Sequence, residues 1–180
     1  MNTYFESDEG RRQYMPDGMS VKRRADIPMG ATWMSDNGVP SINYRMDIKE
    51  SSSTAHLYGK RLVAGESFTA DGRHGREHTY WPGNIKPVAD CELAYGLNRF
   101  VIHESAHQPD DVHRPGLALG IYGQWFNRHE TWASMAKPWI SYLKRSASMM
   151  QQGNYVADVA YFYGEDNNIT GIFINDLPPV

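Results

Sequence analysis

The segment from Arg61 to Thr69 constrains the fold of this chain more than any other part of the sequence. Its first half is mostly apolar, and Glu66 follows directly, before Ser67 and Phe68. A buried strand that ends by presenting a carboxylate is how many α/β-barrel enzymes position a catalytic acid or base. The segment also fits an ordinary buried strand whose end carries a solvated glutamate. The flanking sequence has to decide between these two interpretations.

Composition narrows the class of protein. The 180 residues can bury a sizeable core, and their length suggests one domain. A net charge of −3 with scattered histidines predicts no nucleic-acid partner. No apolar run approaches the roughly 18 residues that a membrane span needs, and the single cysteine, Cys91, excludes an internal disulfide framework. The five Trp, eleven Tyr and six Phe fit either a core or a site that stacks on sugar rings.

Strand and helix patterns alternate along the chain. Residues 7–26 read as a polar connection and residues 25–34 as a short strand or loop. The further elements that the patterns predict are a helix at 43–58, a strand at 61–68, a helix at 84–98, a strand at 100–102, a helix at 130–152 restarted by Pro138, and a strand at 154–163. This order predicts a parallel α/β sheet with its site at the carboxyl ends of the strands.

Residues 103–113 allow two chemistries. His103-Glu104-Ser105-Ala106-His107 has the H-E-x-x-H spacing of zinc peptidases, and His113 falls where the extended motif has its third ligand. That chemistry needs a helix, whereas the residues before His103 read as a strand. On a continued strand, alternation would put His103, Ser105 and His107 on one face, in the pocket with Glu66. The alternative for each histidine is a structural hydrogen bond.

Several segments together resemble the α-L-rhamnosidases of glycoside hydrolase family 106. They include Ala25-Asp-Ile-Pro-Met-Gly30, Asp47-Ile-Lys-Glu-Ser-Ser-Ser-Thr-Ala-His-Leu-Tyr-Gly59, Val63-Ala-Gly-Glu-Ser-Phe-Thr69, Gly96-Leu-Asn-Arg-Phe-Val-Ile-His103, Ala106-His-Gln-Pro109, Met150-Gln-Gln-Gly153 and Val156-Ala-Asp-Val-Ala-Tyr-Phe-Tyr-Gly-Glu165. Each segment alone is a weak signal, but their order is maintained over nearly the whole chain. Ala31 departs from the acidic residue expected after the Pro-Met-Gly.

The resemblance implies a fragment of a larger enzyme. Residues 1–153 would be the C-terminal part of a (β/α)8 TIM-type barrel, with about its last four strands at 3–7, 27–34, 62–68 and 100–103. Residues 154–180 would begin a further α/β domain with its first strand. A complete barrel typically takes about 250 residues, which agrees with a partial one here.

The family cleaves terminal α-L-rhamnose with inversion and with the help of calcium. Inversion uses two carboxyl groups separated by enough space for a water molecule. Glu66 matches the general base that activates this water, and the general acid would lie outside this chain, so that the fragment alone would be inactive. The implied partner is a rhamnose-containing carbohydrate, and the family suggests a periplasmic or secreted protein.

The remaining polar and aromatic residues are candidates for substrate binding. Glu6 would line the pocket without matching the family's acid. His103, His107 and Gln108 would hydrogen-bond sugar hydroxyls or orient Glu66. Trp81 and Trp125 would stack on the deoxysugar, although burial in the core is equally compatible with both. The alternatives that stay open are the zinc peptidase and a sugar-binding remnant without catalysis.

Overall fold

The computed structural model of the protein describes residues 18–35, 38–71, 78–123 and 125–162. Its elements in chain order are α1 (Gly18–Lys22), β1 (Met29–Trp33), α2 (Ile42–Leu57), β2 (Ala64–Thr69), α3 (Pro82–Ala94), β3 (Arg99–Ile102), a 3-10 turn (Ala133–Met135) and α4 (Lys137–Met150). No helix within these ranges is long and apolar enough to cross a membrane.

The strands form one parallel sheet in the order β1-β2-β3. After β1 and after β2 a helix returns the chain to the same end of the sheet, and α4 follows β3. The helices α2, α3 and α4 pack against β1, β2 and β3, respectively. The predicted parallel α/β arrangement is therefore confirmed. Three strands do not establish the barrel, and the strand predicted at 3–7 lies outside the described residues.

The sheet and helices bury a shared apolar layer. Phe68 is fully buried against the ring of Trp139 in α4, with their centroids 5.9 Å apart. Gly65 provides a close approach, because a Cβ there would lie 2.4 Å from Leu97 and 3.0 Å from Ile48. The buried members of the cluster around Phe68 are Ala70, Tyr80, Ile85, Val88, Ala89, Trp125, Trp132, Trp139 and Leu143.

An ion network fixes α1 and α2 to the first strand. The Lys22 ammonium lies 2.6 Å from an Asp47 carboxylate oxygen and 2.9 Å from Glu50. The other Asp47 oxygen accepts the backbone N–H of Ala31 in β1 at 2.8 Å. Burial alone lowers the pKa of Lys22, but the two carboxylates outweigh that effect and hold the pKa above its usual value.

The structure differs from two of the predictions about helices. The short helix α1 falls in the segment predicted as a connection. The last helix begins at Lys137 with Pro138 in its first turn, after a separate 3-10 turn, so its prediction from residue 130 was too long. In α4 Trp139 and Leu143 are buried, whereas Ile140 and Met150 are exposed.

The strand predicted at 154–163 is wrong over residues 154–162, which are exposed and form no strand. Apolar and β-branched residues such as Val156 favour extended backbone, but a strand also needs a neighbour for its N–H and C=O groups. Within the described ranges, no strand pairs with this segment. Tyr163 and the residues after it lie outside the described part.

Candidate active site

Glu66 projects from the face of the sheet opposite to the helices. Its neighbours in β2, Gly65 and Ser67, are directed towards the helix layer, since Gly65 contacts side chains of that layer and Ser67 lies beside Glu92 of α3. Alternation along the strand then directs Glu66 to the other face. In register across the sheet, Glu66 lies between Ala31 of β1 and Val101 of β3.

This second face is partly open. Glu66 is half-buried, while Val101 beside it is 40% exposed. On the same strand as Val101, Phe100 and Ile102 pack in the opposite direction against the apolar cluster. An acidic side chain beside an exposed apolar one on this face of the sheet can meet a ligand that reaches it.

Thr69 holds one oxygen of the Glu66 carboxylate. The Thr69 hydroxyl donates to Oε1 at 2.7 Å. Thr69 was not among the predicted site residues, and strand periodicity would not indicate it, since residues three apart on a regular strand point to opposite faces. The register shifts between Thr32 and Trp33, which pair with Ser67 and Thr69, so Phe68 is left over and the strand is irregular there.

His103 continues the ladder for one residue beyond β3. Its N–H donates to the C=O of Ser67 at 3.0 Å. Because Ile102 packs towards the helices, alternation directs His103 to the Glu66 face. The His103 ring atom Nδ1 is buried and has no hydrogen-bond partner in the described part of the chain. The ladder therefore puts His103 on the strand beside the one that carries Glu66, and its contact with Glu66 or a substrate stays a prediction.

The other histidines of this segment do not continue the strand. Residues 103–107 form neither helix nor strand, so the expected alternation of Ser105 and His107 with His103 is wrong. His107 is exposed on the loop. Whether it contacts a substrate stays a prediction.

The helix that zinc-peptidase chemistry requires is also missing at 103–107. Glu104 instead accepts the N–H of Leu119 at 2.7 Å, and His113 lies 2.9 Å from the carboxylate of Asp110 on the exposed loop. These contacts hold the loop together rather than assembling three ligands. They count against the zinc-peptidase hypothesis.

Gln108 is engaged by the backbone of its own loop. Its side-chain nitrogen donates to the C=O of Leu117 at 2.7 Å, and its oxygen accepts the N–H of Leu117 at 2.8 Å. The residue is buried. Both polar atoms of the amide therefore bond the backbone of the loop, whereas the sequence predicted that this side chain binds substrate.

The two tryptophans predicted to stack on sugar lie in different environments. Trp81 is exposed just before α3, so it retains an accessible ring. Trp125 is buried in the core cluster, with its ring 5.2 Å from that of His78, and the core alternative considered for it fits this placement better. Glu6 lies outside the described residues.

A further aromatic group lies at the carboxyl end of β1. Trp33 stacks on Tyr44 with a centroid distance of 5.9 Å and lies 5.4 Å from Tyr122. Trp33 is opposite Thr69 in the sheet register. The sequence signal that could have identified it is its position at the end of a parallel strand, where sites of this fold class occur.

A second carboxyl group lies behind the sheet. Glu92 of α3 is buried beside the hydroxyls of Ser67 and Thr32 on the helix side. Burial raises the pKa of Glu92 well above its usual range, although the two hydroxyls act in the opposite direction. This group is therefore a neutral structural acid below that raised pKa, on the face opposite to Glu66.

The residues that the structure describes do not provide a calcium site. Among them, no group of three or more His, Cys, Asp or Glu side chains is arranged to hold a metal ion. Calcium usually takes six to eight oxygen ligands. The described residues therefore offer no such cluster of carboxylates for calcium. The calcium implied by the family resemblance stays a prediction.

The family of this chain follows from a match over its whole length. A family model for glycoside hydrolase 106, described as alpha-L-rhamnosidase, matches residues 1–180. This chain belongs to glycoside hydrolase family 106. Its structure is similar to that of a rhamnosidase from Novosphingobium sp. PP1Y, with a TM-score of 0.80 and 45% identity, over 90% of this chain and 16% of that one.

A curated relative carries a different name. A protein of Formosa agariphila named "Putative beta-glucuronidase" is 40% identical over 161 residues, which are 89% of this chain and 13% of the relative. The chain thus spans less than a fifth of the length of either protein. The family-106 membership that the sequence segments indicated is confirmed.

Proposed function

We propose that this chain is the part of an inverting α-L-rhamnosidase that carries its general base, Glu66. In this proposal the strands β1 to β3 belong to a (β/α)8 barrel, whose interior is the face on which Glu66 lies. Glu66 removes a proton from a water molecule as that water attacks the anomeric carbon, and a general acid outside the described residues protonates the leaving oxygen. The substrate is a glycoside with a terminal rhamnose.

The position of Glu66 is the observation that supports this proposal most directly. It combines a carboxylate on the face opposite to the described helices, His103 on the neighbouring strand, and a location towards the carboxyl end of β2. Active sites of barrel enzymes lie at this end of the strands. The family match and the similarity to the Novosphingobium rhamnosidase support the choice of rhamnose.

Surfaces near this edge fit a deoxysugar. Trp33 and Tyr122 form an aromatic pair at the end of β1, and Trp81 is exposed before α3. A deoxysugar presents an apolar side with its methyl group, which packs well on aromatic rings. His103 and His107 stay candidates for its hydroxyl groups.

The first experiment uses the full-length protein with an aryl α-L-rhamnoside, and an aryl β-D-glucuronide as the competing substrate. The Glu66→Gln variant should lose about three or more orders of magnitude in kcat, because an amide cannot accept the proton. Glu104→Gln is the matched control, since the Gln oxygen can still accept the N–H of Leu119. Near-wild-type activity of Glu66→Gln would remove Glu66 from the mechanism.

The stereochemistry gives a second, independent readout. In Glu66→Ala, azide can enter the space of the missing base and attack the anomeric carbon while the acid still protonates the leaving group. An inverting enzyme then yields the β-L-rhamnosyl azide, as does a retaining enzyme that lacks its nucleophile, so the wild-type product is followed as well: inversion releases β-L-rhamnose first. Restored turnover with the α-azide as product would contradict inversion with Glu66 as the base.

A further inference from the structure

The strand that carries Glu66 contains an irregularity at Phe68. In the ladder with β1, Thr32 is opposite Ser67 and Trp33 is opposite Thr69, so Phe68 has no partner of its own. Phe68 adopts φ 70°, in the left-handed region that an aromatic residue rarely enters. An extra residue with strained backbone is a β-bulge, a feature that is frequent beside active sites.

The bulge changes the face on which the next residue lies. In a regular strand Thr69 would point away from Glu66, towards the helices. Instead Phe68 uses the extra position to enter the helix layer, where its ring lies 5.7 Å from that of Phe100. Thr69 returns to the Glu66 face and donates its hydroxyl to Oε1 at 2.7 Å.

Thr69 is itself held firmly. It is 1% exposed, and its C=O accepts the N–H of Met34 at 2.8 Å. As a β-branched residue it has few side-chain rotamers. Its hydroxyl is thus a fixed donor rather than a mobile surface group.

We propose that Thr69 is the positioning residue of the general base. By holding Oε1, it fixes the rotation of the Glu66 carboxylate and leaves Oε2 as the oxygen that takes the proton from water. A carboxylate whose orientation is set in advance needs no reorganisation during the reaction. This inference rests on the proposed function of Glu66 and adds the device that orients it.

The test compares Thr69→Val, Thr69→Ala and Thr69→Ser in the full-length protein with an aryl α-L-rhamnoside. Valine keeps the shape and removes the donor, alanine repeats the removal with a smaller side chain, and serine restores the hydroxyl. Thr32→Val is the matched control, because Thr32 is also 1% exposed and lies on the neighbouring strand, on the opposite face. Circular dichroism establishes that each variant is folded.

We expect Thr69→Val and Thr69→Ala to lower kcat about 10- to 100-fold, the range for losing one hydrogen bond to a charged group, with KM changed less than about threefold. Thr69→Ser should recover most of kcat, and Thr32→Val should retain it. A folded valine or alanine variant with kcat within about twofold of wild type would overturn the inference. So would a serine variant as slow as valine.

The two proposals can fail separately. If Glu66→Gln retains activity, the general-base assignment fails and the role of Thr69 falls with it. If Glu66→Gln is inactive while the folded Thr69→Val variant is fully active, only the positioning role of Thr69 is wrong.

Discussion

Replacing Lys22 by methionine tests how strongly the ion network fixes the first strand. The ammonium of Lys22 donates to Asp47 and lies beside Glu50, and Asp47 in turn accepts the N–H of Ala31. Methionine has a similar length and no charge. The variant therefore leaves two carboxylates close together, with side chains only 4% and 11% exposed.

The expected cost follows from that burial. Removing one partner of a buried ion pair costs about 3–5 kcal/mol, because the remaining charge is uncompensated. Here one cation serves two acids, and the N–H of Ala31 still supports only one of them. A loss of about 4 kcal/mol raises the equilibrium constant for local opening of this segment roughly 10³-fold. The double variant Lys22→Met/Glu50→Gln should regain part of this stability, because a neutral amide then replaces one of the two carboxylates.

Amide hydrogen exchange of the β1 peptide in the full-length protein measures this opening locally, at Ala31 above all. The matched control is Lys86→Met, which removes an exposed lysine paired with Asp90 four residues on and should change local stability by less than about 1 kcal/mol. Exchange of β1 in Lys22→Met within about fivefold of wild type would refute the reasoning. It would mean that packing, and not the ion network, fixes the strand.

Two further predictions concern Glu92 and Gln108. Above about pH 4.5, the pKa of this group in the unfolded chain, Glu92 ionises on unfolding but stays protonated in the folded protein until the pH reaches its raised pKa. Across that pH range the free energy of unfolding should fall by about 1.4 kcal/mol per pH unit, because the folded state binds one proton more. Thermal unfolding at a series of pH values should show this decline in the wild type and in the control Asp158→Asn, whose side chain is exposed, but not in Glu92→Gln. An unchanged pH dependence in Glu92→Gln would contradict a protonated Glu92 in the folded protein. Gln108→Ala should lose two hydrogen bonds to Leu117, worth about 1 kcal/mol each, and speed proteolysis of the 104–123 loop. Gln152→Ala is the control, and equal cleavage rates in Gln108→Ala and wild type would contradict the role of Gln108 in closing this loop.

The regular elements were predictable where local pattern and tertiary packing agree. The predicted helix at 43–58 corresponds to α2, and the strand predicted at 61–68 corresponds to β2 within three residues at its start. The short helix α1 was missed because its five residues carry no apolar period; what holds it is a buried ion pair with a residue far along the chain. The strand predicted at 154–163 is wrong over 154–162 for the opposite reason: its composition favours extended backbone, but pairing depends on a neighbouring strand.

The candidate site was predictable in part. Glu66 follows an apolar run, so its location on a strand of a parallel sheet could be read from the sequence. Thr69 could not, because strand periodicity assigns it to the other face and only the bulge at Phe68 reverses that assignment. Gln108 illustrates a different limit: a polar side chain in a loop beside a site can bond the backbone as readily as a substrate, and sequence does not distinguish these partners.

The register of the sheet has a consequence for how the chain folds. Met29 pairs with Ala64, and Ala64 pairs with Arg99, so the two crossovers have equal length. Each ladder therefore closes a loop of the same size and carries the same entropic cost. During synthesis, β2 can dock on β1 before β3 has left the ribosome, and each new strand then meets a finished edge. These three strands can thus assemble by repeating one step, and the strand that bears Glu66 is placed when β2 docks on β1.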